Sequence, residues 1–270
     1  MNEMIPLPAA TVAVVRDAHG GIEVLMLQRN LRSGFVAGVH LFPGGAVDEA
    51  DAAVEAAKLC CGLDDRAASR ILGLAAGGLA YWVAAIRESF EEAGILLACD
   101  RYGKLVSLSD ERAAGRFLVH RREINAGERE FIAMLHEEGL QLAADRLTFF
   151  GHWITPVGAP RRYDTRFFLA AAPEGQEPLH DSLETIDHLW VHPSVALDRQ
   201  RKGEFKMRTP TVHTLKKFAD YDTVGSLLKG IGQGEVPAIL PRITRDGKRL
   251  LPGDPGYEEA VGEKGRGEWS

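Results

Sequence analysis

Cysteine is scarce: Cys60, Cys61 and Cys99 are the only three in 270 residues. An odd count with an adjacent pair is neither a disulfide framework nor a C-x-x-C zinc or redox pattern, and it points to a reducing compartment. Excess positive charge is also missing. With 32 Lys and Arg against 38 Asp and Glu the formal net charge is −6, which disfavours sequence-independent binding to nucleic acid. That balance still allows a phosphorylated small molecule in a local basic pocket. No apolar run is long enough to span a bilayer. The longest, Ile71 to Ile86, has 16 residues including three glycines and reads as buried helix. The first residues, MNEMIPLPAA, lack the basic and apolar regions of a secretory signal, and GEWS at the other end matches no C-terminal address signal. These absences point to a cytoplasmic protein with no membrane partner.

What is present is ordinary for a globular chain: 45% hydrophobic and 26% charged residues, enough to bury a sizeable core. Residues 10–16 and 22–28 are apolar and β-branched around DAHGG, a hairpin signal. An Ala-rich region, 52–93, has helical propensity and breaks near Gly62 and Gly77-Gly78. Further strands are expected at 95–100, at two places within 149–172, and in IDHLWV, with helical spacing over 107–147. Asp246-Gly247 signals a late hairpin. Strands mixed with helices without regular alternation predict an α+β fold around a mixed sheet. The expected organisation is one domain over 8–200, helical at 52–86. A C-terminal extension, 201–270, packs on the same domain and frays after about residue 258.

Two short stretches carry the chemistry. In LFPGGAVDEAD (41–51), paired glycines precede Asp48, Glu49 and Asp51. Two glycines in a row suit a backbone that bends sharply or comes close to a ligand. In IRESFEEAGI (86–95), a helix turning roughly 100° per residue gathers Val83, Ile86 and Phe90 on one side and Glu88, Glu91 and Glu92 on the other. Like charges at i, i+3 and i+4 repel by a few tenths of a kcal/mol per pair. A solvated acidic face tolerates that, but a hard divalent cation wants carboxylates converging in this way. Arg87 can pair with Glu91 one turn on, and Gly94 can end the helix in a left-handed cap.

These residues resemble the Nudix box. Arg87-Glu88, Glu91-Glu92 and Gly94-Ile95 match its second half, R-E-U-x-E-E-x-G-U with U aliphatic. Gly45, five residues and Asp51 match the first, with Asp where the family usually has Glu. Two departures stand out: 35 residues, Ala52 to Ile86, separate the acid from the Arg, where the family has seven, and Ser89 replaces an aliphatic. A loop lengthens at small entropic cost if its ends return to the same places. The long insertion, LQRN upstream and RRYDTRFF downstream are similar to the peroxisomal coenzyme A diphosphatase branch and its bacterial relatives.

The resemblance implies a Nudix fold and hydrolysis of a nucleoside diphosphate linked to another moiety, with Mg²⁺ or Mn²⁺. It implies Glu88 and Glu92 as metal ligands, Glu91 as ligand or water-holder, the Gly44 carbonyl as a further ligand, and Arg87 as their orienter. Glu184, in an E-x5-W context, is a candidate distal ligand or general base. Arg29, Arg161, Arg162, Asp164 and Arg166 are candidate substrate contacts. If RRYDTRFF is a strand, Arg162, Asp164 and Arg166 share one face and Arg161, Tyr163 and Thr165 the other; edge-strand charges that keep a sheet soluble remain the plainer alternative. Coenzyme A or acyl-CoA leads as substrate, ahead of ADP-ribose, NADH and nucleotide sugars. A catalytically silent nucleotide-binding module and an isoprenoid diphosphate isomerase are the other classes, and a homodimer is left open. His40 reads as a packed or solvent histidine, HEEG (136–139) as an ordinary helix end and LDD (63–65) as a helix cap.

Overall fold

The computed structural model describes residues 4–29, 38–178 and 185–260. The chain opens with a hairpin of β1 (Leu7–Ala18) and β2 (Gly21–Arg29), whose register Ala18↔Gly21 leaves His19-Gly20 as a two-residue turn. Gly20 takes φ 84° there, a conformation open to glycine at little cost. Next come β3 (Val39–Leu41), β4 (Gly44–Ala46), a 3-10 turn at Glu49–Ala52, and the helices α1 (Val54–Lys58), α2 (Asp65–Leu72) and α3 (Leu79–Ala93). The middle of the chain holds β5 (Ala98–Cys99), α4 (Glu111–Asn125), α5 (Phe131–Glu138), β6 (Gln141–Leu142), β7 (Thr148–Ile154) and β8 (Tyr163–Ala171). Then follow β9 (Thr185–Val191), α6 (Pro193–Arg201), β10 (Lys206–Met207), α7 (Thr209–Phe218), α8 (Val224–Ile231), β11 (Ala238–Ile239), β12 (Arg242–Ile243) and β13 (Arg249–Leu250).

Among the described residues nine strands form one mixed sheet, ordered β10-β3-β2-β1-β8-β7-β11, with β4 also on β1 and β9 also on β2. β1 is its axis. It runs parallel to β8 from Leu7↔Tyr163 to Val15↔Ala171 on one side. On the other side it changes partner, pairing β4 through Ala9–Thr11 and β2 through Val15–Ala18. Alternate residues of β1 therefore feed two cores. Ala10, Val12 and Val14 face α3, while Ala13 and Val15 face α7 and α8. The expected α+β architecture is the one found, with helices on both faces of a mixed sheet.

The sequence of α3 explains its depth. LAYWVAAIRESFEEA combines strong helix formers with large apolar residues on most sides, and almost the whole helix is buried. Its start is held by Asp65, whose carboxylate accepts from the Gly77 and Leu79 N–H groups, each at 3.0 Å, while Asp64 caps α2 by accepting from Ala67 N–H at 2.7 Å. Its end is the left-handed Gly94, φ 71°. Glu138 and Gly139 in HEEG do end α5, with Glu138 paired to Arg116 and His120. His40 is packed, stacked on Phe205 at 3.9 Å between ring centroids. All three cysteines are free thiols, and the sulfurs of Cys61 and Cys99 lie 3.1 Å apart. No helix among the described residues is long and apolar enough to cross a membrane.

Phe168 of β8 is fully buried beneath α3 and packs against Trp82 at 4.6 Å and Phe149 at 5.9 Å between ring centroids. Phe168→Ala should lower unfolding free energy by about 3–5 kcal/mol, measured by urea denaturation. A loss below about 1 kcal/mol would show that this layer does not carry the core.

Candidate active site

Arg87 joins the two halves of the motif. Its Nε and Nη2 donate to the two carboxylate oxygens of Asp51, each at 2.9 Å. Nη1 donates to Glu88 at 2.9 Å and Glu91 at 3.0 Å, and Nη2 also reaches the Ala46 carbonyl at 3.0 Å. Asp51 is only 3% exposed and also accepts from the Asp48 N–H at 2.9 Å, which closes the 3-10 turn. Such a planar fork fixes angle as well as distance. Asp48 lies 3.4 Å from Nη2 and is largely exposed, in keeping with a loop charge, and Glu49 is exposed too.

The glycines are there for space and not for a turn. Neither Gly44 nor Gly45 has positive φ; both sit in a strand. A Cβ on Gly45 would lie 2.4 Å from a Glu88 carboxylate oxygen, and one on Gly44 would lie 2.5 Å from both the Ala10 carbonyl and the Thr11 hydroxyl. Gly44 is opposite Thr11 in the ladder, yet its N–H donates to Glu92 at 2.9 Å. N–H and C=O of one strand residue point to the same edge, so the Gly44 carbonyl also turns away from β1. At the far end of α3, the buried Arg121 donates to the Glu91 and Glu92 carbonyls at 2.9 and 2.8 Å, and Asn125 to the Glu91 carbonyl at 3.1 Å. A guanidinium at a helix C-terminus both fills orphan acceptors and opposes the helix dipole.

Burial dominates the electrostatics. It pushes the Glu88 carboxyl up to about 7, with Glu91 adding to the effect and Arg87 opposing it. Glu91 shifts upward for the same leading reason. Burial works against the charge of Arg87 as well, but hydrogen bonding and proximity to Asp51, with Glu88 and Glu91, hold it firmly protonated.

On the opposite face of the sheet a cleft of about 770 Å³ opens against the backbone of Gly44, Gly45 and Ala46. Arg161, Tyr163, Thr165 and Phe167 line it at alternate positions along β8 and the turn before it. Of the four β8-region candidates, Arg161 therefore meets the cleft and the other three do not. Arg162 is 5% exposed and clamps backbone, donating to the Thr155 carbonyl at 3.1 Å and the Met4 carbonyl at 2.8 Å. Arg166 pairs with Asp164 and His152 under α3, with its guanidinium 5.4 Å from the centre of the Tyr81 ring, and His152 lies 2.6 Å from Asp164. The period of the strand sends Asp164 and Arg166 to the face that α3 covers, while Arg162, just before β8, is engaged by backbone carbonyls. Tyr163, Thr165, Arg208 and Arg249, which also line the cleft or its continuation, were not among the expected contacts. Glu184 and the side chain of Arg29 lie outside the described residues.

The family profile described as NUDT19 Nudix domain matches residues 5–218. The chain belongs to the Nudix hydrolase family. A relative from Gallus gallus named acyl-coenzyme A diphosphatase NUDT19 is 31% identical over 277 residues, covering 88% of this chain and 73% of the relative. The Homo sapiens protein of that name is 27% identical over 280 residues, with the same two coverages. A solved Nudix hydrolase from Alicyclobacillus acidocaldarius is similar at 30% identity and TM-score 0.70, covering 86% of this chain and 99% of that one. The protein is thus a Nudix-type diphosphatase, and the binding-module and isomerase readings fall away.

Nudix hydrolases generally use divalent metal ions. Among the described residues no three His, Cys, Asp or Glu side chains are gathered as a ready-made cage. The reason is visible: Arg87 holds Glu88 and Glu91, and the Gly44 N–H holds Glu92. The donor set nevertheless fits a hard dication, with three carboxylates on one helix beside glycine backbone. Burial makes the charge of Glu88 costly, and a bound cation would remove that cost.

Three outcomes follow from this geometry. Gly45→Ala should cut diphosphatase turnover by about 100-fold with little loss of stability, because the added methyl displaces the end of a flexible Glu88 side chain. Gly44→Ala should instead lower the urea midpoint, since its methyl meets the Ala10 backbone carbonyl. Metal-free protein should be most stabilised by Glu88 below pH 4.5, the group's ordinary value, and lose that contribution as pH rises through about 7. The stability difference between wild type and Glu88→Gln in EDTA should shift against wild type by a few kcal/mol across that window. A pH-independent difference would overturn this account of Glu88.

Proposed function

We propose that the protein is a metal-dependent diphosphatase of coenzyme A or acyl-CoA, releasing 3′,5′-ADP and (acyl-)phosphopantetheine. The observation that carries the reading is the pairing of the carboxylate helix with a cleft whose lining includes arginines and no Asp or Glu among the described residues. The names of the chicken and human relatives support the choice of substrate.

Glu88, Glu91, Glu92 and the Gly44 carbonyl are the groups that would hold Mg²⁺ or Mn²⁺. When bound, the ion neutralises the diphosphate and lowers the pKa of the attacking water. The rest of the work falls to the chain. Arg87 sets the direction of Glu88 and Glu91, and the Asp51 fork keeps Arg87 from following them into the site. The absence of side chains at Gly44 and Gly45 lets phosphoryl oxygens in the cleft approach the carboxylates across bare backbone. Arg161, Tyr163 and Thr165 offer a guanidinium and two hydroxyls along the path of the diphosphate. Free thiols at all three cysteines suit the reducing cytoplasm in which we place this activity.

The test is a substrate panel with Mg²⁺ or Mn²⁺: coenzyme A, an acyl-CoA, ADP-ribose, NADH and a nucleotide sugar, with products identified by mass. Coenzyme A or acyl-CoA should give the highest kcat/KM and 3′,5′-ADP as a product. A higher kcat/KM on ADP-ribose, NADH or the sugar nucleotide overturns the reading. Glu92→Gln should abolish turnover; a rate within about threefold of wild type, under about 1 kcal/mol of barrier, removes Glu92 from the metal site.

A further inference from the structure

The cleft does not stop at the wall opposite the glycines. Through Arg161, Tyr163 and Arg208, which line both, it adjoins a smaller chamber of about 250 Å³ whose lining adds Trp153, Pro241 and Arg249. The floor can be measured in strand spacings. Ala46 pairs with Ala9, Ala9 with Thr165, and Thr165 with Trp153. Three spacings are about 14 Å. A diphosphate at the glycines with a nucleoside extending along that row would bring the nucleoside to the Trp153 end.

The lining of the chamber is unusual in its charge. It includes Arg161, Arg208 and Arg249 and, among the described residues, no Asp or Glu, in a chain of net charge −6. Its other walls are largely apolar or aromatic, including Trp153, Tyr163 and Phe167. Arg249 is anchored: its Nη1 donates to the Thr209 hydroxyl at 2.6 Å, beside Arg208. Arg208 is half-buried and Arg249 exposed; burial, and then the charge of Arg249, push the Arg208 guanidinium below its ordinary value, so the two cations are near enough to repel. A dianion between them would turn that repulsion into two charge-assisted contacts.

We propose that this chamber is a second anion subsite, in which Arg208 and Arg249 take a phosphate monoester on the ribose of the leaving nucleotide while the base lies against Trp153. This rests on the coenzyme A reading, for which the monoester is the 3′-phosphate. The C-terminal β12–β13 hairpin, which supplies Arg249, becomes a specificity element: it selects 3′-phosphorylated nucleotides over otherwise identical ones.

Binding to the full-length protein tests this, by calorimetry with 3′,5′-ADP and with 5′-AMP. Wild type should bind 3′,5′-ADP about tenfold or more tightly than 5′-AMP, and Arg249→Gln and Arg208→Gln should each reduce the ratio to under about threefold. Thermal midpoints near wild type verify that both variants fold; if one does not, the other decides. Equal affinities in wild type, or a preference that survives in the folded variants, overturn the subsite. Turnover of coenzyme A against 3′-dephospho-CoA separates the two claims. Coenzyme A hydrolysis with no preference for the 3′-phosphate in binding or kcat/KM sinks the subsite alone. No hydrolysis of coenzyme A, with a 3′-phosphate preference that the variants abolish, sinks the substrate reading alone.

Discussion

The structure depends on one fork, the bidentate pair between Arg87 and Asp51. It is buried, it crosses from a helix to a 3-10 turn, and it spends the remaining donors of the guanidinium on Glu88, Glu91 and the Ala46 carbonyl. Removing Arg87 would leave the buried Asp51 carboxylate without a countercharge, which is far costlier than losing a surface ion pair. The helix can therefore rest mutually repelling acids against a glycine strand and remain in register with it. Arg121 and Asn125 hold the other end of the same helix by its carbonyls, so α3 is fixed at both ends of its functional turn.

The sheet separates the carboxylate helix from the cleft. The three glutamates occupy one face and the cleft the other, and they come near each other where β1 changes partner and β4 opens with two glycines. The same alternation along β8 sends Tyr163 and Thr165 into the cleft and Asp164 and Arg166 beneath the helix. One strand thus serves a wet, cationic surface and a packed interior through neighbouring residues.

Local patterns were the legible part. The carboxylate helix, its glycine stop, the first hairpin and the paired glycines are all set within ten or so residues, where spacing alone constrains geometry. The role of Asp51 was less visible, because a shorter acid at that position reaches Arg87 only through the 3-10 turn that carries it. The choice of face along RRYDTRFF was not legible at all. A strand period divides the residues into two sets, but which set meets the cleft depends on the helix that covers one side, and α3 covers Asp164 and Arg166. Arg208 and Arg249 are 41 positions apart and come together through tertiary packing that no local pattern announces.

The long excursion between Asp51 and Arg87 can now be seen from its two ends. Both are pinned by the same fork, so the segment closes on itself like a ring, and its length enters the site only as a slowly growing chain entropy. It contributes the first half of α3, Leu79 to Ile86, and behind that helix Ala56, Ala68 and Leu72 join the same core. A change of length confined to residues 53–64 would alter how firmly α3 is backed while leaving the fork and the three glutamates in place.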